Sequence, residues 1–314
     1  MRVYRWDLDK TYLETEFDTV RGVVRTALER AHHKRAVPGA TALLKALARP
    51  HDGRARRIVI VSGSPEQMRR VLEKKLRLDG VSFDELSLKD NLGNLRRGRF
   101  RALRSQLAYK VPALLRGRVG LGADVTESLF GDDAEIDTVA YTLYADAVAG
   151  RVSPDQLATV LEHGGGYPDE IVAALSALAN VTPSDPVERI FIRRARGREV
   201  AAYAGLGARV VPVSSWLQAG LLLYQSGEIS AADVEAVRAE CRLEAPETRV
   251  EVHDVLDRGL ISPAAMERLV GGLGPGELVE SLEHRLRAGD FELRSEPRAE
   301  MVDYVALFRR FARR

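Results

Sequence analysis

The chain reads as an α/β protein built on a doubly wound, mostly parallel sheet, and three observations predict it. Strand and helix signals alternate through the first half, the pattern of successive βαβ units. Arg57-Ile58-Val59-Ile60-Val61 is a near-continuous apolar run, which marks a strand covered on both faces. Three short polar segments each follow an apolar run, as loops at one edge of a parallel sheet do.

In chain order, Arg2-Val3-Tyr4-Arg5 opens the first strand and Asp7-Leu8-Asp9-Lys10-Thr11 follows it. Val20 to Ala31 carries helical periodicity, Pro38-Gly39 punctuates, and Ala40 to Ala48 reads as a helix with Leu43, Leu44 and Leu47 on one face. The apolar run at 57–61 then leads into Ser62-Gly63-Ser64-Pro65, with Pro65 suited to the first turn of a helix ending near Leu78. Val81 to Leu88 predicts another strand. Arg96 to Leu107 reads as a basic helix with a solvated face, and Lys110 opens the helix of Val111 to Leu115. Ser128-Leu129-Phe130 runs into Gly131-Asp132-Asp133, and the apolar runs Arg189 to Ile192 and Arg209 to Val213 add strands beyond residue 150.

The remainder is mostly helical. Gly150-Arg151-Val152-Ser153, Gly227-Glu228-Ile229-Ser230 and Gly259-Leu260-Ile261-Ser262 share one form, in which glycine closes a helix and serine caps the next. Gln156 completes a capping box with Ser153. The spacing of these joints is irregular, so they are architecture rather than a solenoid repeat. Gly271 to Gly276 has no strand before it and contains Pro275, which predicts a joint and not a phosphate-cradling loop. The expected organisation is a catalytic part over residues 1–226, with a helical insertion at about 151–186, and a helical region over 227–314.

Composition narrows the function classes. Lys and Arg number 47 against 45 Asp and Glu, and a net charge of +2 gives no basis for general nucleic-acid or anionic-membrane binding. The single Cys241 excludes an internal disulfide and fits a reducing cytoplasm, where a buried idle thiol is expected. No apolar run approaches the roughly 20 residues of a membrane-spanning helix, and the charged strand after Met1 is unlike a signal peptide. A cytoplasmic location is the expectation. His32-His33 sits among Arg30, Lys34 and Arg35 and reads as a solvated basic end, while His163, His253 and His284 have no partner at helical spacing. Trp216 to Tyr224 reads as a core helix, and Phe308 to Arg314 as a basic tail.

Two aspartates one residue apart repel each other, so Asp7 and Asp9 are expensive without a cation or phosphoryl group to hold. A parallel sheet would gather the segments around Asp7, Ser62, Lys110 and Asp132 at one edge. Carboxylates, a hydroxyl with a backbone N–H, and an ammonium suit phosphoryl transfer, with Mg2+ on the carboxylates.

The order and identity of these residues resemble the haloacid dehalogenase (HAD) superfamily, over about two-thirds of the chain. The resemblance implies a Rossmann-like sheet and a Mg2+-dependent phosphatase. It makes Asp7 the nucleophile that becomes an aspartyl-phosphate, and Asp9 the acid and then the base. Thr11 would fix the loop, Ser62 and Gly63 would bind the phosphoryl oxygens, and Lys110 would pair with that group and with Asp7. Mg2+ would be held by Asp7, the Asp9 carbonyl and Asp132, with Asp133 and Asp137 in support. Lys89 competes with Lys110, which stands roughly twenty residues before Asp132 and opens a helix.

Pro38-Gly39, Val61-Ser62-Gly63-Ser64-Pro65 and the spacing from Asp132 to Asp137 further resemble the phosphatidate phosphatase group within that superfamily. Gly63 stands where that group has Asn, and Lys10 where it tends to have Asp. Short intervals from Thr11 to Ser62 and from Gly63 to Lys110 predict an open or lightly capped site, suited to a bulky phosphorylated partner: a lipid, polymer or protein phosphate. The competing readings are a non-catalytic HAD-like protein-interaction module and a phosphotransferase using the same residues.

Overall fold

The computed structural model describes residues 1–14, 34–51, 53–96, 98–99, 105–288 and 301–312. The helix expected from Val20 to Ala31, the His32-His33 pair, Arg97 and residues 100–104 of the basic stretch, and Arg313-Arg314 lie outside the described residues.

Among the described residues six strands form one sheet in the order β3-β2-β1-β4-β5-β6. They are β1 (Arg2–Trp6), β2 (Arg56–Pro65), β3 (Glu85–Lys89), β4 (Thr126–Asp132), β5 (Val187–Arg193) and β6 (Val210–Val213), and every neighbouring pair is parallel. The chain winds outward from β1 through β2 and β3, then returns to β4 on the other side of β1. That reversal is the switch point at which a doubly wound sheet opens a crevice beyond its carboxyl ends.

Alternation along the strands sends side chains into two apolar cores. Tyr4, Trp6, Ile58 and Ile60 face α1 (Ala40–Ala48), α2 (Arg69–Leu78) and α8 (Trp216–Gln225). Outside them lie α9 (Ala231–Cys241), α10 (Ala245–Asp257), α11 (Pro263–Gly272) and α12 (Glu277–Ala288), with α9 on α1 and α8, and α12 on α10 and α11. Val234, Val252 and Leu282 belong to the same buried cluster as Trp6, so this region shares its core with the sheet. Trp6, Phe130 and Phe191 stack across three strands, with ring centroids 4.4 and 5.1 Å apart, and Trp216 leans on Trp6 at 5.2 Å.

On the other face, Val3, Val59, Val61 and Leu129 meet α4 (Leu107–Arg118) and α5 (Asp137–Val148). Behind those pack α6 (Pro154–His163), α7 (Pro168–Ala179) and α13 (Tyr304–Ala312). Every residue of α5 is buried, as expected of a helix covered on all sides.

The three Gly-x-(Val/Ile)-Ser joints take the expected form. Gly150, Gly227 and Gly259 have φ of 72°, 72° and 66°, and Ser153, Ser230 and Ser262 each cap the following helix. Several boundaries move. Pro65 does not open a helix: β2 continues through it, a short 3-10 turn covers Glu66–Met68, and α2 begins at Arg69. On either side of the stretch that lies outside the described residues, α3 covers Asn91–Arg96 and α4 starts at Leu107. The strand expected from Val81 begins at Glu85, and Gly271 and Gly272 end α11 instead of lying in a joint.

Candidate active site

Asp7 directly follows β1, and its N–H donates to the Phe130 carbonyl at 2.9 Å, which ties it to the end of β4. Asp9 belongs to a tight turn closed by Lys10 N–H on the Leu13 carbonyl at 2.8 Å. Lys10 itself is left-handed, with φ of 61°, a conformation that a residue with a Cβ adopts only under constraint. The constraint comes from Arg193 at the end of β5, whose guanidinium donates twice to the Lys10 carbonyl, at 3.1 and 2.5 Å. Trp216 Nε1 holds the Thr11 carbonyl at 3.1 Å from the opposite layer.

Strand periodicity turns Ser62 and Ser64 to the same side, and both hydroxyls donate to Asp9 Oδ2, at 3.0 and 2.7 Å. Thr11 Oγ1 donates to Asp132 Oδ2 at 2.8 Å, and the Ala134 and Glu135 N–H groups cap Asp132 Oδ1 at 2.6 and 3.1 Å. Gly131 lets α5 close on this edge: a Cβ there would come within 2.6 Å of Asp137 Cβ and 2.7 Å of the Tyr141 ring. Asp137, in the first turn of α5, then accepts from the Asp132 N–H at 3.2 Å.

Lys110 lies one turn into α4, fully buried. Its Nζ donates to Asp7 Oδ1 at 2.7 Å and to Asp137 Oδ1, and sits 3.4 Å from Glu135 Oε2. Burial alone would lower the ammonium, but Asp137, Asp7 and Glu135 outweigh it and hold its pKa well above the usual lysine value. Lys89 is directed elsewhere, to the Ser105 carbonyl at 2.8 Å, and burial lowers it to about 8.

Carboxylate oxygens of Asp7, Asp132 and Asp137 lie within 4.8 Å of one another, and all three residues are completely buried. Burial, followed by repulsion among neighbouring carboxylates, raises their affinity for protons. Asp132 is pushed up to about 8 by burial, Asp137 and Glu135, and Asp9 to about 6 by burial and Glu135 against its serine hydrogen bonds. Asp7 rises well above the carboxylate range for want of solvent, although Lys110 opposes the rise. Asp7 Oδ2 and Asp9 Oδ1 are buried with no hydrogen-bond partner among the described residues. Buried acceptors are rarely left so, and a set of hard oxygens with orphaned lone pairs fits a divalent cation.

Asp7, Asp9, Thr11, Ser62, Lys110, Asp132 and Asp137 therefore meet at the switch point, with Gly63 between the two serines. The Asp133 carboxylate does not join them: it accepts from Arg196 N–H at 2.7 Å and Tyr203 Oη at 3.1 Å, which anchors the loop after β5. The sequence reading overlooked Ser64, Glu135 and Arg193. Ser64 was recoverable from its two-residue spacing to Ser62; Glu135 and Arg193 look like ordinary surface charges. Away from the site, His253 and His284 stack at 5.7 Å despite their separation in sequence, and burial pushes the Cys241 thiol up to about 12.

Residues 6–154 match the family model of the phosphatidate phosphatase APP1 catalytic domain. That span is just under half of the chain and carries every site residue above except Arg193 and Trp216. The match supports an enzyme of phosphatase type that acts on phosphate esters. No curated protein and no solved structure matches the chain. Among the described residues no helix is long and apolar enough to cross a membrane.

Proposed function

We propose that the chain is a Mg2+-dependent phosphomonoesterase of HAD type that works through an aspartyl-phosphate on Asp7. The observation that carries the reading is the Asp7 carboxylate itself: one oxygen is held by Lys110, and the other is buried at the switch point without a partner among the described residues. The held oxygen fixes the orientation, and the free one is the nucleophile that attacks phosphorus as the ester oxygen leaves. Asp9 supplies the proton. Ser62 and Ser64 hold its Oδ2, so the unpartnered Oδ1 faces the leaving group, and a pKa of about 6 suits a group that gives a proton and later takes one from water.

Lys110 offsets the charge on Asp7 and on the incoming phosphoryl group. Asp7, Asp132, the Asp9 carbonyl and, nearby, Asp137 would hold Mg2+, which when bound neutralises phosphoryl oxygens as a Lewis acid. Thr11 and the N–H groups of Ala134 and Glu135 keep Asp132 in place for that work. Between Thr11 and Ser62 the described residues carry one helix, α1, before β2, and between Gly63 and Lys110 they carry the 3-10 turn, α2, β3 and α3 before α4; with the short intervals, this supports a site without a large cap. The match to a phosphatidate phosphatase domain favours a phosphorylated lipid as substrate, and the single Cys241 fits a cytoplasmic setting for it.

The test is hydrolysis of p-nitrophenyl phosphate with Mg2+, comparing the wild-type chain with Asp7→Asn. The expected result is turnover in wild type and a loss of at least roughly a thousandfold in the variant. Equal activity in both overturns the nucleophile, and no activity in either favours the non-catalytic reading. A panel with phosphatidate, and with alcohols as competing acceptors, separates lipid from soluble substrates and hydrolysis from phosphotransfer.

A further inference from the structure

Gly63 faces the start of α4, and what covers it is the side chain of Gln106. A Cβ at Gly63 would stand 3.4 Å from Gln106 Cδ, 3.6 Å from Nε2 and 3.7 Å from Oε1. Near-equal distances mean that the amide lies flat over the glycine instead of touching it end-on. Gln106 is the residue before α4, yet its side chain makes no capping hydrogen bond. Its Oε1 is buried and has no hydrogen-bond partner among the described residues. Its carbonyl accepts from the Lys110 N–H at 2.8 Å, so Gln106 and Lys110 lie one helical turn apart at the start of α4.

Both serine hydroxyls of the neighbouring loop already donate to Asp9 Oδ2, and a hydroxyl has one proton to give. While Asp9 keeps them, a phosphoryl group arriving at Asp7 finds neither hydroxyl free to donate. A primary amide presents two donors and an acceptor. A phosphate monoester monoanion presents P–O− acceptors and a P–OH donor, so the two are complementary.

We propose that Gln106 is a substrate-binding residue whose amide, laid across Gly63, contacts the phosphoryl group of a phosphate monoester between the Ser62–Ser64 loop and Lys110. The inference rests on the phosphatase reading above. The contact is to the phosphoryl group, so soluble and lipid esters should lose alike when it is removed. Gly63 then has a defined purpose, since a side chain at that position would displace the amide.

The experiment measures kcat and KM of the full chain with Mg2+ on p-nitrophenyl phosphate and on phosphatidate in mixed micelles, and the affinity for inorganic phosphate by calorimetry. Gln106→Ala should raise KM about tenfold, the scale of one hydrogen bond to a charged partner, with kcat within about threefold and phosphate affinity weakened to match. Gln106→Glu keeps the shape and should lose more, because a carboxylate repels phosphate; it also serves should the alanine variant fail to fold. The double variant Gly63→Asn with Gln106→Ala returns an amide to the same space and should recover most of the lost KM. Hydrolysis with unchanged KM and phosphate affinity in both Gln106 variants overturns this inference and leaves the phosphatase reading intact. A loss confined to kcat also overturns it, and marks Gln106 as a packing residue. A raised KM on phosphatidate alone overturns the phosphoryl contact in favour of a lipid contact. A wild-type chain that hydrolyses neither ester overturns the phosphatase reading, and this inference with it.

Discussion

Arg5 and Asp7 stand on the same side of the first strand, two residues apart, and each belongs to a buried ionic cluster between β1 and β4. The clusters are built in opposite ways. At Arg5, the Glu127 carboxylate is saturated: Arg5 grips both oxygens at 2.9 Å, Tyr144 Oη donates at 2.7 Å, and Arg118 lies at 3.3 Å. Burial alone would raise Glu127, but Arg5, Tyr144 and Arg118 outweigh it and hold its pKa below the usual glutamate value. The groups left without partners there among the described residues are N–H donors, Arg5 Nη1 and Arg118 Nε. At Asp7, four aspartates and Glu135 face one ammonium, two acceptor oxygens are orphaned, and burial and repulsion raise the carboxylates. In the Arg5 cluster the single carboxylate is fully paired, whereas the Asp7 cluster holds a surplus of buried acceptors that could hold a metal ion. Burial of charge alone does not mark a candidate site; several buried carboxylates with raised pKa values and orphaned acceptor oxygens do.

Substitution should separate the two clusters most strongly. Asp7→Asn should abolish turnover, by at least roughly a thousandfold, while leaving the fold intact by circular dichroism. Glu127→Gln should do the reverse. It strands two buried guanidiniums and should cost about 3–5 kcal/mol, lowering Tm by on the order of 10 °C, with the surviving folded protein retaining its KM for aryl phosphate. A Glu127→Gln protein as stable as wild type would remove the contrast.

The clusters should also respond to pH with opposite sign. Asp9 and Asp132, at about 6 and 8, hold protons in the folded state that the unfolded chain has lost above its carboxylate range. Their stabilising contribution is present at low pH and is lost as pH rises through those values. In EDTA, Tm should therefore fall between pH 5 and 8.5. Glu127, with its lowered pKa, contributes above the unfolded glutamate value and loses that contribution only at more acid pH. Lys110 adds no slope in this window, because its raised pKa lies above it. Asp132→Asn keeps an acceptor for Thr11 and the Ala134 N–H but removes a like charge. It should raise Tm in EDTA at pH 8 by about 3–5 °C and flatten the slope, whereas Mg2+ should stabilise wild type far more at pH 8 than at pH 5. A Tm that rises with pH in EDTA would contradict the raised pKa values.

Much of this contrast was legible in the sequence on one side only. Asp7, Asp9, Ser62 and Asp132 follow or end apolar runs, and a parallel sheet carries such positions to one edge whatever lies between them. Thr11 and Asp137 came with their motifs, and Lys110 with the helical signal of Val111 to Leu115, although α4 begins one turn before Lys110, at Leu107. Glu127, Arg5 and Arg118 were invisible, because nothing in a strand pattern pairs a glutamate with an arginine more than a hundred residues away. Asp133 misled for a local reason: neighbours at a strand end point to opposite sides, so the residue beside Asp132 serves the loop after β5 instead. Pro65 also misled, since its fixed φ suits an extended strand end as well as a first helical turn. The packing of α9–α12 against α1 and α8 depends on contacts with no regular spacing, so their helices were readable but their placement was not.

Arg193 offers the finest test, because it joins the site from outside the span that matches the phosphatidate phosphatase domain. Its two hydrogen bonds hold the carbonyl of Lys10, a residue kept left-handed at a cost of about 1–2 kcal/mol. Arg193→Met keeps the volume and removes both bonds. Lys10 is then free to relax, and Asp9 moves with the turn relative to Asp7. Small misplacements of a proton donor are paid in kcat, so the variant should lose about tenfold there with little change in KM. Glycine takes positive φ without penalty. Lys10→Gly in the Arg193→Met background should therefore recover part of the loss, a rescue that a purely electrostatic role for Arg193 does not produce. If Arg193→Met matches wild type in kcat, the turn holds its own shape and the brace is redundant. If the loss appears but Lys10→Gly does not relieve it, Arg193 acts through its charge on Asp132 rather than through the backbone of the Asp7–Thr11 loop.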